Sequence, residues 1–397
     1  MQFDLSPDLL FALVLAAAAG WFGGRLLRRT HQAAPPARTI PFSEQYFVGL
    51  NHLLNEQQDK ALEVLRRMAE SDADTVETQL ALGHLYRRRG EVDRAIRIHE
   101  DVAQRTDLPD TLRDQASVAL GEDYLRAGLL DRAETSFQQL IERPAHRNAA
   151  LRNLLNIYEQ QGDWHQAIAT YQQLALHASP ENPTALAHYY CELADDARVA
   201  GELAQARELL HRARDMQRNF PRSALLRADI ALAENDARLA ACLSRRVLEL
   251  HPHLLPMALP RYVQALRLAG QSLDSADDEL KLHVADSTQR AQLAYAAIVM
   301  DILDEPFLVQ CLPDFLRRDA NLGDLVTALC GDINTLDYAH LQAIAIALSR
   351  IFRRTQKFRC VDCGVTTGTH FWQCPGCHSW DTLVTVARLE LSPVPHK

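Results

Sequence analysis

An alanine returns at nearly constant intervals through the centre of this chain, each time in the same local setting. Ala61 lies in QQDKALEVL, Ala95 in VDRAIRIHE, Ala133 in LDRAETSF and Ala167 in WHQAIATY, at spacings of 34, 38 and 34. Ala206 in LAQARELL and Ala240 in ARLAACLS follow after 39 and 34. A unit of that size holds two helices and a turn but cannot bury an apolar face alone, so successive units must stack. Stacking also accommodates the length, because 397 residues exceed what one compact core supports.

Inside each unit the pattern is that of a helical hairpin. Gly49, Gly83 and Gly121 stand twelve residues before the first three alanines, where a missing side chain permits close helix contact. Tyr86, Tyr124 and Tyr158 stand nine residues ahead of their alanines, as wedges between helices. The strings RGEVD, AGLLD and QGDWH supply the turns, and Pro252 in LELHP stops the sixth unit. Ala194 and Ala228 replace the glycine in later units, and a seventh, about 257–284, fits loosely. A period of 34 is that of the tetratricopeptide repeat. The fold class expected is therefore all-α, a tetratricopeptide-repeat solenoid over 42–284 whose inner groove receives peptides or other proteins. Residues 285–356 keep helical periodicity without the signature, as in LAYAAIVMDIL and LQAIAIALSRIF, and read as atypical or capping helices.

Chemistry concentrates at the C-terminus, 357–397. In FRCVDCGVTTGTHFWQCPGCHSWDTL, Cys360 and Cys363 form one C-x-x-C pair, ten residues follow, and Cys374 and Cys377 form another. Two such knuckles present four thiolates to one ion, the pattern of a structural zinc ribbon with no open coordination position. Iron is the alternative ion, since thiolate tetrahedra hold both. Rubredoxins, which use iron, have a similar pattern with a longer spacer and a glycine after the second pair, where His378 stands. Gly364 and Pro375-Gly376 provide turn geometry, and Phe371, Trp372 and Trp380 are expected to pack around the small core. His370 and His378 read as solvent-exposed rather than ligating. Arg350, Arg353, Arg354, Lys357 and Arg359 form a basic run before the ribbon. It reads as a solvated helix end, the alternative being that it offsets the tetrathiolate or meets an acidic partner or anionic lipid. The remaining cysteines, Cys191, Cys242, Cys311 and Cys330, read as small buried apolar residues, and paired knuckles suit a reducing, cytosolic compartment.

At the other end, Leu9 to Gly24 is uncharged and Leu26 and Leu27 extend the apolar stretch past Arg25. Residues 9–27 as a helix would span about 28 Å, close to the roughly 30 Å of a bilayer core. Asp4 and Asp8 precede the segment and Arg25, Arg28 and Arg29 follow it, which puts the N-terminus outside and the rest in the cytosol. A cleaved signal peptide would carry a basic start instead. Residues 1–29 are thus expected to be a single-pass anchor and 30–41, with Pro35 and Pro36, a linker. Net charge is -9 overall and +2 over the first 42 residues, leaving -11 for the body, which argues against a nucleic-acid partner. No phosphate-binding glycine loop, H-E-x-x-H or nucleophile elbow is present, so an enzyme is not expected. The rival reading is a membrane-tethered, rubredoxin-like electron carrier.

Anchor, repeats and terminal ribbon together, with NHLLNEQQDKA (51–61), RRRGEVDRAIRIH (87–99), AGLLDRAE (127–134), AHYYCELA (187–194) and the ribbon from Phe358 to Trp380, resemble the lipopolysaccharide assembly protein B (LapB) family of Gram-negative bacteria. The resemblance implies an inner-membrane regulator of lipopolysaccharide synthesis with a periplasmic N-terminus and a cytoplasmic bulk. It implies an adaptor that brings the lipid A deacetylase LpxC to the membrane protease FtsH and answers to a membrane sensor of lipopolysaccharide. Homodimerisation is left open.

Overall fold

The computed structural model describes residues 76–178, 184–271, 286–353 and 357–386, together with 60, 63, 64 and 273. The expected membrane span, the linker and the unit around Gly49 and Ala61 lie outside the described residues. Among the described residues no helix is long and apolar enough to cross a membrane. The chain divides into two compact units, Met1–Ser136 and Phe137–Lys397.

The first unit contains α1 (Val76–Arg88), α2 (Val92–Gln104) and α3 (Asp110–Arg126), and the division falls within α4 (Leu130–Ile141). Each of α1 and α3 ends in the same way. Gly90 and Gly128 take left-handed φ values of 82° and 73°, and the next amide reaches back to a tyrosine carbonyl, Glu91 to Tyr86 and Leu129 to Tyr124, both at 2.9 Å. This closure satisfies orphan helix carbonyls and turns the chain into the partner helix, and glycine adopts it without Cβ strain. Close packing follows where the small residues predict it. Ala95 and Ala133 are fully buried, and a Cβ on Gly83 would come within 2.4 Å of the His99 ring on α2. A polar network unforeseen in the sequence reinforces the unit. Buried Asp123 on α3 pairs with His99 Nδ1 at 2.5 Å and accepts from Arg87 on α1 at 3.0 Å, so one carboxylate ties three helices. His84 beside it is pushed down to about 4, chiefly by burial and then by His99 and Arg87.

In the second unit the hairpins continue through α5 (Arg147–Gln161), α6 (Trp164–His177), α7 (Ala185–Val199), α8 (Leu203–Met216), α9 (Pro221–Ala233), α10 (Ala237–Leu250) and α11 (Leu255–Leu268). The turn recurs at Gly162, Gly201 and Gly270, and Asn235 takes it at φ 61° after α9. Asp163 and Asp236 then cap α6 and α10 by accepting from Gln166 and Leu239 amides at 3.1 and 3.0 Å. Ala167, Ala206 and Ala240 are fully buried, as the spacing predicts. Pro252 opens a 3-10 turn, Pro252–Leu254, that ends this run before α11.

Beyond the repeats stand α12 (Ser287–Met300), α13 (Pro306–Gln310), α14 (Leu312–Arg318), α15 (Ala320–Cys330) and α16 (Tyr338–Phe352). Helix α12, apolar almost all round, is buried from Leu293 to Val299. One apolar cluster runs from Leu225 on α9 through α11 and α12 to Phe352, so these helices share the core of the last repeats. The ribbon follows as a sheet of β1 (Phe358–Cys360), β2 (Thr366–Thr367) and β3 (Leu383–Thr385) in the order β2-β1-β3, with antiparallel pairing.

One sequence expectation, that of four buried lone cysteines, is corrected for two of them. Cys191 and Cys311 are buried, but Cys242 and Cys330 are exposed. Cys242 lies two residues past core Ala240, about 200° around the helix and hence on its outer face. The basic run is partly occupied, with Arg353 pairing with Asp301 and Lys357 Nζ donating to the Val299 carbonyl at 3.1 Å, so both close the C-terminal end of α12.

The shared turn gives an asymmetric prediction. Gly162→Ala meets no atom within 4 Å, yet it forces an L residue to φ 70° and should cost about 1 kcal/mol. Asn235→Gly, at the equivalent turn, should cost nothing or stabilise slightly. Thermal unfolding of both variants checks this, and an equal loss from each would contradict the turn assignment.

Candidate metal centre and its seat on the helices

Two knuckles with nearly identical backbone geometry build the thiol cluster. In the first, the Cys360 amide donates to the Val365 carbonyl at 2.8 Å and the Gly364 amide to Cys360 at 3.0 Å. In the second, Cys374 donates to Ser379 at 2.8 Å and His378 to Cys374 at 2.9 Å. Gly364 and His378 occupy matching left-handed positions, at φ 76° and 58°. The histidine therefore does a glycine's conformational task and is held there by its knuckle. Gly376 is required for another reason, since a Cβ there would lie 2.7 Å from Val365 Cγ2 and 3.4 Å from Cys363 Sγ.

All four sulfurs lie within 4.8 Å of one another, and Cys360 to Cys377 and Cys363 to Cys374 are 3.7 and 3.6 Å apart. A tetrahedron with metal–sulfur bonds of about 2.3 Å separates its sulfurs by about 3.8 Å, so the cluster has the right size for one zinc or iron ion. The protons tell the same story. Cys360 is pushed down to about 6 by its contact with Thr382 Oγ1 at 3.3 Å, and Cys377 is lowered by Ser379. Against the pull of the Val365 amide, Cys363 is pushed up to about 12 by desolvation and the neighbouring thiols. The cluster is thus ready to ionise in part, and a central cation is what lets all four thiols ionise together. No histidine or carboxylate joins the group among the described residues.

The aromatic side chains do not surround this centre as expected. The ribbon's own core is Phe358, Cys360, Cys374 and Leu383, with Val365 and Cys377 against it. Phe371 is exposed, whereas Trp372 and Trp380 turn toward the helices. His370, expected in solvent, is half-buried between Phe358 and Trp372 and pushed down to about 4 by burial. A core of four residues is too small to organise itself, so the aromatics are free to make the seat instead.

That seat is polar and buried. Glu159 on α5 accepts from Trp380 Nε1 and Gln373 Nε2 of the ribbon, each at 3.3 Å, and from the Tyr189 hydroxyl of α7. Burial raises its pKa while those donors restrain the rise. His188 on α7 is fully buried, with Nε2 2.8 Å from Asp381 and its ring stacked on Trp380 at 4.4 Å and against the edge of Phe220 at 4.7 Å. Arg222 on α9 lies over the Trp372 ring at 5.7 Å and pairs with Glu192 at 2.9 Å. Apart from Trp372 and Trp380, expected around the metal core, none of these residues was foreseen as part of a site. The available signal was AHYYCELA, in which His188 and Tyr189 are more polar than a repeat position requires.

Comparison with known proteins places these features in context. The family model described as a rubredoxin metal binding domain matches residues 358–385. Tetratricopeptide repeat models match residues 80–113 and 118–183. The lipopolysaccharide assembly protein B of Escherichia coli K12 is 31% identical over 400 residues, covering 96% of this chain and 99% of the relative. That of Haemophilus influenzae is 27% identical over 408 residues, with the same coverage of 96% and 99%.

The knuckle geometry predicts that His378→Gly raises the ribbon's resistance to unfolding by up to about 1 kcal/mol, since it relieves a left-handed L residue. Gly376→Ala should instead speed metal loss to a chelator. Chelator competition on both variants distinguishes them, and the same change in both would refute the packing argument.

The seat predicts a pH dependence. Burial holds His188 and His370 below the ordinary 6.5, His370 at about 4. Such groups bind fewer protons folded than unfolded, so their contribution is complete above 6.5 and is lost as pH falls toward about 4. His370→Phe should flatten the fall in melting temperature below pH 6.5. An unchanged slope would show that His370 is not held neutral.

Proposed function

This chain belongs to the lipopolysaccharide assembly protein B family, and from that premise we propose that it is a non-enzymatic scaffold regulating lipopolysaccharide synthesis at the inner membrane. The observation that carries the reading is the seat of the ribbon on α5 and α7, through Glu159, His188 and Trp380. Helices α5 and α7 and the ribbon are held together there, as suits a protein that keeps other proteins in fixed relation. In this reading Cys360, Cys363, Cys374 and Cys377 bind a structural zinc ion, whose role is to fix the two knuckles. Residues 1–29 anchor the chain with its bulk in the cytoplasm, 30–41 link it, 42–284 form the repeats, 285–356 close them and 357–397 form the ribbon. The partners are the deacetylase LpxC, presented for degradation, the protease FtsH, and a membrane sensor of lipopolysaccharide.

Metal analysis of purified protein should give about one zinc per chain. Stoichiometric iron with reversible redox colour would favour the electron carrier instead. In cells, depletion of the protein should lengthen the deacetylase half-life. Deleting 1–29 should do the same while leaving the soluble part folded, because the effective concentration at the membrane is lost. An unchanged half-life on depletion would remove the adaptor role.

A further inference from the structure

The four cysteines of the metal centre are unequally covered. Cys360 and Cys374, the first of each knuckle, are buried, Cys377 is half-buried and Cys363 is exposed. The second knuckle approaches Cys363, since a Cβ on Gly376 would lie 3.4 Å from its Sγ, but the next residue leaves it open: a Cβ on Gly364 would meet no atom within 4 Å. Asp362 beside it is also exposed and repels anionic reagents but not neutral ones. Ionised sulfur is the form that oxidants attack, and a cation shared by four thiols keeps them ionised. Cys363 is therefore both the reachable and a reactive member of the group. A second thiol stands ready for it. Cys363 Sγ lies 3.6 Å from Cys374 Sγ, and Cys360 Sγ lies 3.7 Å from Cys377 Sγ, so both contacts cross from one knuckle to the other. A disulfide of about 2.05 Å needs each such pair to close by only about 1.5 Å. The other cysteines offer nothing comparable. Burial pushes the Cys191 and Cys311 thiols up to about 12 and about 11, and exposed Cys242 and Cys330 contact no other thiol among the described residues.

We propose that Cys363 is an oxidation site for hydrogen peroxide and Cys374 the thiol that resolves it, so that oxidation expels the metal ion and loosens the ribbon's seat. The Cys363 thiolate attacks one peroxide oxygen. An S–O bond forms, the O–O bond breaks and hydroxide leaves, so the sulfur loses two electrons to the peroxide and becomes a sulfenic acid. The Cys374 thiolate then attacks that sulfur, forming the S–S bond and displacing a second hydroxide. Two thiolates and one peroxide thus give one disulfide and two hydroxide ions, which solvent protonates. Two of the four ligands are consumed, and the ion is released. The seat responds because Cys374 is bonded to the residues that make it. Its amide donates to the Ser379 carbonyl at 2.8 Å and its carbonyl accepts from the His378 amide at 2.9 Å, so its movement toward Cys363 is passed to Trp380 and Asp381. The proposal goes beyond the scaffold reading and rests only on its structural-metal part.

The test uses full-length, zinc-loaded protein carrying Cys242→Ser and Cys330→Ser, which silence the other exposed thiols and leave the metal ligands intact. Hydrogen peroxide is added, zinc release is followed with a chromogenic chelator, sulfenic acid is trapped early with dimedone, and disulfides are mapped by mass spectrometry. Dimedone should mark Cys363 about tenfold more than Cys377, in line with their exposure. Zinc should leave in a peroxide-dependent reaction as a Cys363–Cys374 disulfide appears, and a dithiol reductant with added zinc should restore the starting state. Tryptophan emission should shift to the red as zinc leaves, because Trp372 and Trp380 lose their places against the helices. First labelling at Cys377, a Cys360–Cys363 disulfide in place of the crossed one, zinc retained after peroxide treatment, or emission unchanged after zinc loss would each overturn the proposal. Two failures are told apart by the zinc content before oxidation. Protein that takes up no zinc sinks the structural-metal reading and this proposal with it, whereas protein that holds zinc but reacts elsewhere sinks this proposal alone.

Discussion

Four thiols within 4.8 Å of one another cannot all ionise unless a cation shares their space, and much of the ribbon's architecture follows from that constraint. The ribbon's buried core is Phe358, Cys360, Cys374 and Leu383, so half of it is thiol. With the cation in the reading proposed here, both knuckles become rigid. The residues after the second, Ser379, Trp380 and Asp381, are then presented to the helices in one orientation. Without it, the same residues have little local structure to hold them, and Glu159 and His188 lose the donors and the stacked ring that make their burial tolerable.

Dependence runs in the other direction as well. Glu159 lies two residues before the end of α5, and the α5–α6 turn at Gly162 sets where that helix stops. His188 lies in the first turns of α7, where Tyr189 also approaches Glu159. Repeat packing therefore places the acceptor and the ring, and the ribbon supplies what they receive. A half-buried carboxylate with three donors is costly to separate from any one of them, which makes this contact specific as well as stabilising.

Most of the helical part was legible in the sequence because a repeat states its packing several times over. The alanines at 95, 133, 167, 206 and 240 are all fully buried, and the glycine turns fall between the paired helices. The convergence of Cys360, Cys363, Cys374 and Cys377 was legible because two short spacings leave few geometries. The seat was not legible, because Glu159 and Gln373 are 214 residues apart and Glu159 and Trp380 are 221 apart, and each reads locally as ordinary helix surface or ribbon core. Trp372 and Trp380 were assigned to the nearest core for that reason, and His370 to solvent. Cys242 and Cys330 show the converse limit, since residue type alone cannot say which side of a helix a lone cysteine occupies.

The central claim is that a metal-knit ribbon is an integral part of the repeat array. Hydrogen exchange of the full-length protein before and after metal removal tests it most directly. The account predicts that chelation exposes the ribbon amides and, together with them, amides of α5 and α7 around Glu159 and His188, while α1 to α3 keep their protection. Loss of protection confined to residues 357–386 would contradict it, because the ribbon would then be an appendage that the helices do not need.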